Sequence, residues 1–276
     1  MKILMIGHGM VGHKFIESVL EQAGDDIELT ILAEEPHLAY DRVHLTEYFS
    51  GKSVKDLSLC RSDFADAYGI DLRLNTKAVE IDQLHKTVTT SQGDVLSFDK
   101  LILATGSYAF VPPIPGNDRQ NCFVYRTIED LDAIRAASLN AKTGVVIGGG
   151  LLGLEAAKAL RDLNLETHVV EFAPRLMAVQ IDDLGGRVLR SKIEDLGVKV
   201  HTQKATSSIE DGDSTQHVMK FGDGSVLETD IILFSAGIRP RDELARQSGL
   251  LIGERGGIII NGWCFKKYAE KKQVGF

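Results

Sequence analysis

The strongest constraint on the fold is a glycine pattern that occurs twice, each time between an apolar strand and an amphipathic helix. The first copy is GHGMVG (7–12) and the second is GGGLLG (148–153). Each copy leads through its helix to a further apolar strand, at 27–33 and 166–171. Because such short crossovers are right-handed, the two strands flanking each helix are predicted to be parallel neighbours. The chain therefore contains two predicted strand–turn–helix–strand units.

Each predicted unit continues in the same way. Alternating runs at 78–106 and 217–237 suit small antiparallel meanders, and each meander leads into an apolar strand that ends in small residues. A chain of 276 residues is also long enough for two cores. The fold class is therefore predicted to be α/β, with two Rossmann-like dinucleotide-binding domains.

The six glycines of the two patterns serve three purposes. In each copy the first makes a tight turn, the second lets the backbone approach a pyrophosphate, and the third lets the helix pack closely on the strand. They are Gly7, Gly9 and Gly12 in the first copy and Gly148, Gly150 and Gly153 in the second. A single copy could be an ordinary tight turn. The flanking strand, helix and later acid favour dinucleotide binding.

An acidic residue follows the second strand of each copy. Glu34 and Glu171 stand where a carboxylate would accept hydrogen bonds from a ribose diol and repel a 2′-phosphate. The alternative is that both are solvated strand ends. Arg175, just beyond Glu171, is a cation that could accommodate a phosphate. The pattern favours NADH over NADPH.

Composition excludes several classes of function. The formal net charge is −8, and no apolar run approaches the length of a membrane helix, so nucleic acid and membranes are not expected partners. The N-terminal residues do not read as a secretory signal, which predicts a cytoplasmic protein. Cys60, Cys122 and Cys264 are widely spaced, so no redox disulfide and no metal centre is expected.

Several longer stretches carry a family resemblance. Together, the two glycine patterns and the stretches LATGS and FSAGIRPRDELA resemble the FAD- and NAD-dependent pyridine nucleotide oxidoreductases. EEPHLAYDRVHLTEYF, FVYRTIEDLDAIR and VVEFAPRLMAVQID resemble the large subunits of NADH-dependent assimilatory nitrite reductases within that group. The resemblance implies a glutathione-reductase-like fold, with an NAD domain (114–234) inserted into a discontinuous FAD domain (1–113 and 235–276).

The resemblance also implies roles for individual residues. Those expected to bind FAD are Gly7, Gly9, Met10, Gly12, Glu34, Arg42, Val79, Ala104, Thr105 and Gly106. Those expected to bind NADH are Gly148, Gly150, Leu151, Leu152, Gly153, Glu171 and Gly237. Apart from the resemblance, Arg42 could form a surface ion pair and Val79 could be a core valine.

Acid–base catalysis is not required, because hydride passes directly from nicotinamide to flavin. The resemblance places Glu155 near the nicotinamide, although a carboxylate in a first helical turn is also favoured by the helix dipole alone. His8 and His44 are expected to be structural.

The resemblance is expected to end at Asn261. The following GWCFKKYAEKKQVGF does not follow the family pattern, which predicts a truncated FAD domain and no role for Trp263 or Cys264. The predicted function is the NADH:FAD electron-entry module of a nitrite reductase, delivering electrons to iron–sulfur and sirohaem centres absent from this chain. Alternatives are a stand-alone rubredoxin or ferredoxin reductase, or a non-catalytic remnant. The predicted electron-entry module could also form a homodimer.

Overall fold

The computed structural model describes residues 1–22, 26–262 and 264–266. The chain divides into two compact units. Unit 1 comprises Met1–Asp41, Ser58–Tyr108 and Arg239–Phe276, and unit 2 comprises Arg42–Leu57 and Ala109–Ile238. Across the described part of the chain, no helix has both the length and the apolar character needed to cross a membrane.

The secondary structure alternates strands and helices around both glycine patterns. The strands are β1 (Lys2–Ile6), β2 (Glu28–Leu32), β3 (Asp71–Arg73), β4 (Ala78–Asp82), β5 (Thr87–Thr90), β6 (Val95–Ser97), β7 (Lys100–Leu103), β8 (Ser107–Ala109), β9 (Cys122–Val124), β10 (Thr143–Ile147), β11 (Glu166–Val170), β12 (Lys199–His201), β13 (Thr206–Asp211), β14 (His217–Phe221), β15 (Val226–Thr229), β16 (Ile231–Phe234) and β17 (Ile238–Pro240). The helices are α1 (Met10–Gln22), α2 (Val54–Leu57), α3 (Phe64–Ala67), α4 (Ile128–Ser138), α5 (Leu151–Asp162), α6 (Asp183–Asp195) and α7 (Glu243–Gln247), with a 3₁₀ helix at Leu45–Tyr48.

Unit 1 is built on a parallel sheet of four strands in the order β3-β2-β1-β7. The strands are apolar because both faces of the sheet are covered. Ile3, Met5 and Ile31 pack towards α1 and Phe64, while Leu4 and Leu32 pack towards the meander β4-β5-β6. The carboxyl ends of β1 and β7 therefore meet at one edge of the sheet, where the first glycine pattern begins.

Unit 2 repeats this plan. Five parallel strands run in the order β12-β11-β10-β16-β9, and β13-β14-β15 form an antiparallel meander. Val145, Ile232 and Phe234 of the parallel sheet pack against Met219 and Phe221 of the meander. The predicted parallel pairing of the strands flanking each glycine helix is confirmed in both units.

The contacts place Arg42–Leu57 in unit 2, although the predicted division assigned these residues to the segment 1–113. Tyr48 explains the grouping, since its hydroxyl donates to Asp132 Oδ1 at 2.5 Å and its carbonyl accepts from Arg135 at 2.6 Å. The division of the chain by cofactor stays a prediction. Trp263 and residues 267–276 of the terminal segment lie outside the described residues.

Thr127→Ala is expected to destabilise unit 2 by about 1 kcal/mol. Thr127 caps α4, because its hydroxyl accepts from the Asp130 N–H while the Asp130 carboxylate accepts from the Thr127 N–H at 2.8 Å. The midpoint of urea unfolding measures the loss. Thr127→Ser, which keeps the hydroxyl, is the control and should leave the midpoint unchanged; an equal loss would contradict the capping role.

Candidate dinucleotide-binding sites

The glycine turn of unit 2 is held by two backbone contacts that exclude any side chain. Gly148 has φ +122°, and a Cβ there would lie 2.3 Å from the carbonyl oxygen of Ser235. A Cβ on Gly153 would lie 1.9 Å from the carbonyl oxygen of Gly148. Only glycine therefore allows β10, β16 and α5 to approach this closely.

Gly150 differs from these two glycines because it faces open space. It is the N-cap of α5, provides no side-chain cap, and a Cβ there would meet nothing within 4 Å. The first N–H groups of a helix have no intrahelical acceptor, and the helix dipole adds partial positive charge at this end. The end of α5 is thus open to an anionic group such as a pyrophosphate.

A cavity of about 740 Å³ lies at this turn, wholly within unit 2. Its lining includes Arg126, Gly148, Gly150, Leu151, Leu152, Glu171, Phe172, Lys204, Ser235 and Gly237. The structure thus brings together most of the residues predicted to bind NADH. The volume falls within the usual range of cofactor pockets, and the largely apolar lining with few polar groups is typical of them.

Glu171 makes two contacts that the sequence did not indicate. Its Oε2 accepts from the N–H of Gly149 at 2.5 Å, and its Oε1 accepts from the N–H of Ala173 at 2.7 Å. The carboxylate therefore braces the glycine turn while it also lines the cavity. The alternative of a merely solvated strand end does not account for these contacts.

Arg175 is committed to other groups. Its guanidinium donates to Asp183 Oδ1 at 2.7 Å, to the Ile181 carbonyl at 3.0 Å and to the Ala178 carbonyl at 3.2 Å. An arginine held in this way is poorly placed to accept a 2′-phosphate. This observation supports the preference for NADH.

The cavity lining also includes residues that the sequence did not predict, among them Phe172, Lys204 and Arg126. Phe172 is exposed, Lys204 donates to Ser225 Oγ at 2.7 Å, and Arg126 accepts through its carbonyl from Arg42 at 2.9 Å. Phe172 directly follows Glu171 and could have been found from that position. The other two lie far from the glycine pattern in sequence, so no local signal marks them.

Unit 1 repeats the glycine geometry at its own turn. Gly7 has φ +104°, and a Cβ there would lie 2.2 Å from the carbonyl oxygen of Ala104. A Cβ on Gly12 would lie 2.5 Å from the Gly7 carbonyl oxygen, whereas Gly9 has nothing within 4 Å. Ala104 and Ser235 thus occupy equivalent places, each directly after a strand that pairs with the glycine strand.

The loop after β7 is tied to the chain beyond β17. Thr105 Oγ1 donates to the Arg241 carbonyl at 2.7 Å, and the Gly106 carbonyl accepts from the Arg241 N–H at 3.0 Å. The same Arg241 donates through Nη1 to Glu34 Oε2 at 2.5 Å, and Lys77 lies 3.2 Å from Glu34 Oε1. Two cations therefore hold the carboxylate predicted to accept from the FAD ribose.

The other residues predicted to bind FAD are Met10, Val79 and Arg42, and they lie in three different parts of the chain. Met10 begins α1, at the turn itself. Val79 is 42% exposed and lies at a register irregularity between Ala78 and Glu80, so it is not the core valine that one alternative assumed. Arg42 belongs to unit 2. The role of each in FAD binding stays a prediction.

Glu155 lies in the second turn of α5 and is half-buried. Burial raises the pKa of its carboxyl, and the charge of His44 opposes that rise. Tyr125 is buried nearby, and burial raises the pKa of its hydroxyl to about 12 while that hydroxyl donates to Thr46 Oγ1 at 3.1 Å. His44 thus influences Glu155 electrostatically within unit 2.

Both units contain the same glycine turn, and the turn of unit 2 lines a cavity. Residues 1–269 match the pyridine nucleotide-disulphide oxidoreductases. The chain belongs to this family. The matched range extends past Asn261, where the resemblance was expected to end. Members of the family bind FAD and NAD(P)H, so the predicted cofactors and fold class are confirmed.

Two nitrite reductase large subunits are similar to nearly the whole of this chain. The chain is 52% identical over 265 residues to the nitrite reductase (NADH) large subunit of Escherichia coli (strain K12), covering 95% of this chain and 31% of that protein. It is 54% identical over 263 residues to the NAD(P)H nitrite reductase large subunit of Klebsiella oxytoca, covering 95% and 27%. These matches confirm the predicted resemblance. The chain spans about a third of the length of these relatives.

A solved structure with the same fold is the NAD-dependent persulfide reductase from A. fulgidus. Its TM-score is 0.89 at 28% sequence identity, and the match covers 96% of this chain and 51% of that chain.

Proposed function

We propose that this chain is the NADH:FAD electron-entry module of a cytoplasmic assimilatory nitrite reductase large subunit. Unit 2, with the predicted NAD domain 114–234, binds NADH, and unit 1 binds FAD. The observation that carries the proposal is the repeated glycine turn, with the same backbone contacts around Gly7 and Gly148 and open space at Gly9 and Gly150.

The NADH site is supported by the cavity of unit 2. Its position at the open N-terminus of α5 suits a pyrophosphate, and Glu171 at its edge suits a ribose diol. Leu151 and Leu152 supply the apolar wall beside the glycines, and Gly237, with φ +111°, leaves room for the nicotinamide end.

The FAD site is supported by the matching turn of unit 1. Gly9 admits the pyrophosphate, and Thr105 and Gly106 form the loop that would line the flavin side. Glu34 would accept from the ribose while its contacts with Arg241 and Lys77 orient it.

Bound NADH supplies a hydride and bound FAD accepts it. The contribution of this chain is to hold and orient both groups, since positioning alone can supply a large part of a rate enhancement. Glu155 is assigned a positioning role beside the nicotinamide. Its partial burial, which raises the pKa of its carboxyl, and its place in the second turn of α5 hold it within the same unit as the cavity.

The electron acceptor is proposed to be an iron–sulfur and sirohaem module outside this chain. The relatives are about three times as long as the matched segment, which leaves room for such a module. Assembly as a homodimer is part of the same proposal.

The test is an anaerobic titration of the purified chain with NADH, recorded by visible absorbance. Flavin absorbance that NADH bleaches, and that ferricyanide restores, is the expected result. Gly9→Ala should lose flavin but still bind NADH, whereas Gly150→Ala should keep flavin but lose reduction by NADH. Neither added Cβ meets another atom within 4 Å, so both variants should fold.

Other outcomes identify the alternative functions. A colourless protein that is inert with NADH and ferricyanide would contradict electron entry and indicate a remnant. Fast reduction of rubredoxin or ferredoxin by the unmodified chain would instead indicate a stand-alone reductase.

A further inference from the structure

A cluster of metal-ligating side chains lies beside the glycine turn of unit 1. His8 is in the turn, His13 is in the first part of α1, and Cys60 precedes α3. One ligand atom from each residue lies within 4.8 Å of the other two. Cysteine spacing alone predicts no metal centre, but the fold brings a distant cysteine to two histidines that are close in sequence.

The two histidines are buried with their hydrogen-bonding capacity largely unused. His8 is 7% exposed and His13 is 4% exposed. Among the described residues, neither ring nitrogen of His8 has a hydrogen-bond partner, and the Nδ1 of His13 has none either. An unsatisfied buried polar group costs about 1–3 kcal/mol, so burying these imidazoles without hydrogen-bond partners destabilises the fold. A metal ion would occupy the acceptor nitrogens.

The surroundings resemble those of a closed metal site. Phe64 stacks on His8 at 6.4 Å between ring centroids and meets the His13 ring edge-on at 5.1 Å. Cys60 packs against the same apolar cluster as Phe64. Glu17 lies one helical turn after His13, and its Oε1 is 3.6 Å from His13 Nε2. This oxygen can supply the fourth ligand.

We propose that His8, His13 and Cys60 bind one Zn²⁺-type transition-metal ion, with Glu17 or water as the fourth ligand. Tetrahedral zinc with imidazole and thiolate ligands sets the donor atoms roughly 3.3–3.7 Å apart. The three donor atoms, which lie within 4.8 Å of one another, would have to move by about 1 Å to reach that spacing. Nitrogen and sulfur donors select such an ion over Mg²⁺ or Ca²⁺, which prefer oxygen.

Binding forms a sulfur–metal bond and two nitrogen–metal bonds. The thiol proton of Cys60 is released to solvent, both imidazoles bind in the neutral form, and no oxidation state changes. Since His8 stands between Gly7 and Gly9, the ion would fix the turn of unit 1. All three donors are side chains of this chain, so the proposed site needs no ligand atom from FAD.

Cobalt(II) titration of the full-length, reduced chain tests the site. One equivalent of Co²⁺ should give a thiolate-to-metal charge-transfer band, and Zn²⁺ should displace it. Cys60→Ala should abolish the band, and His8→Asn or His13→Asn should weaken Co²⁺ binding by about tenfold or more. Cys264→Ser and His201→Asn are the controls, since Cys264 is exposed and His201 belongs to another close imidazole pair, with His168.

If a ligand variant folds poorly, a second measurement on the unmodified chain still tests the metal site. In the unmodified chain, Zn²⁺ should protect Cys60 from alkylation, read by mass spectrometry, while Cys264 stays reactive. The proposal is overturned if the folded chain shows no charge-transfer band. It is equally overturned if the band survives in Cys60→Ala or disappears in Cys264→Ser, or if Zn²⁺ leaves Cys60 unprotected.

Discussion

Gly153→Ala is expected to destabilise unit 2 by about 3 kcal/mol or more, because the added methyl group has no place to go. Its Cβ would lie 1.9 Å from the Gly148 carbonyl oxygen, which is backbone and cannot rotate away. The first turn of α5 must then move away from β10, which disturbs the packing of the buried Leu160 against Gly144. For a domain of this size the melting temperature should fall by roughly 5–10 °C.

Gly150→Ala is the matched control for stability. It makes the same chemical change three residues earlier, at φ −81° and with nothing within 4 Å. Its melting temperature should stay within about 1–2 °C of the parent, while its affinity for NADH falls. Thermal unfolding followed by circular dichroism measures both variants. Equal stability of the two would show that close approach of α5 to β10 is not what requires Gly153.

The repeated glycine pattern predicted much of the fold because its physical demands are local. A tight turn at Gly7 and Gly148, and close packing at Gly12 and Gly153, follow from the spacing of the glycines and the apolar strands before them. The backbone contacts found at these positions are those that the pattern predicts.

Features that depend on distant contacts could not be predicted in this way. The assignment of Arg42–Leu57 to unit 2 depends on bonds such as Tyr48–Asp132, whose partners are 84 residues apart. The exposure of Val79 depends on a register shift in the meander, which alternation of residue types does not show. The meeting of Cys60 with His8 likewise depends on tertiary packing. In each case the sequence holds no periodic or spacing signal.

Glu171→Gln is expected to weaken NADH binding by roughly 10–100-fold and NADPH binding by less. A hydrogen bond to a charged group contributes about 1.5–3 kcal/mol, and glutamine loses the charge that the ribose diol would contact. The same change removes the repulsion that a carboxylate exerts on a 2′-phosphate. Isothermal titration of both dinucleotides gives the two dissociation constants, and their ratio is the decisive quantity.

The ratio is decisive because Glu171 also braces the turn. Its two oxygens accept from Gly149 and Ala173, and glutamine can keep only one of these acceptors. A loosened turn would weaken both dinucleotides equally, whereas loss of a ribose contact shifts the ratio towards NADPH. Arg175→Ala is the control and should leave the ratio unchanged, because Arg175 is held by Asp183 and two carbonyl groups. Equal loss of NADH and NADPH in Glu171→Gln would assign this carboxylate to the turn alone.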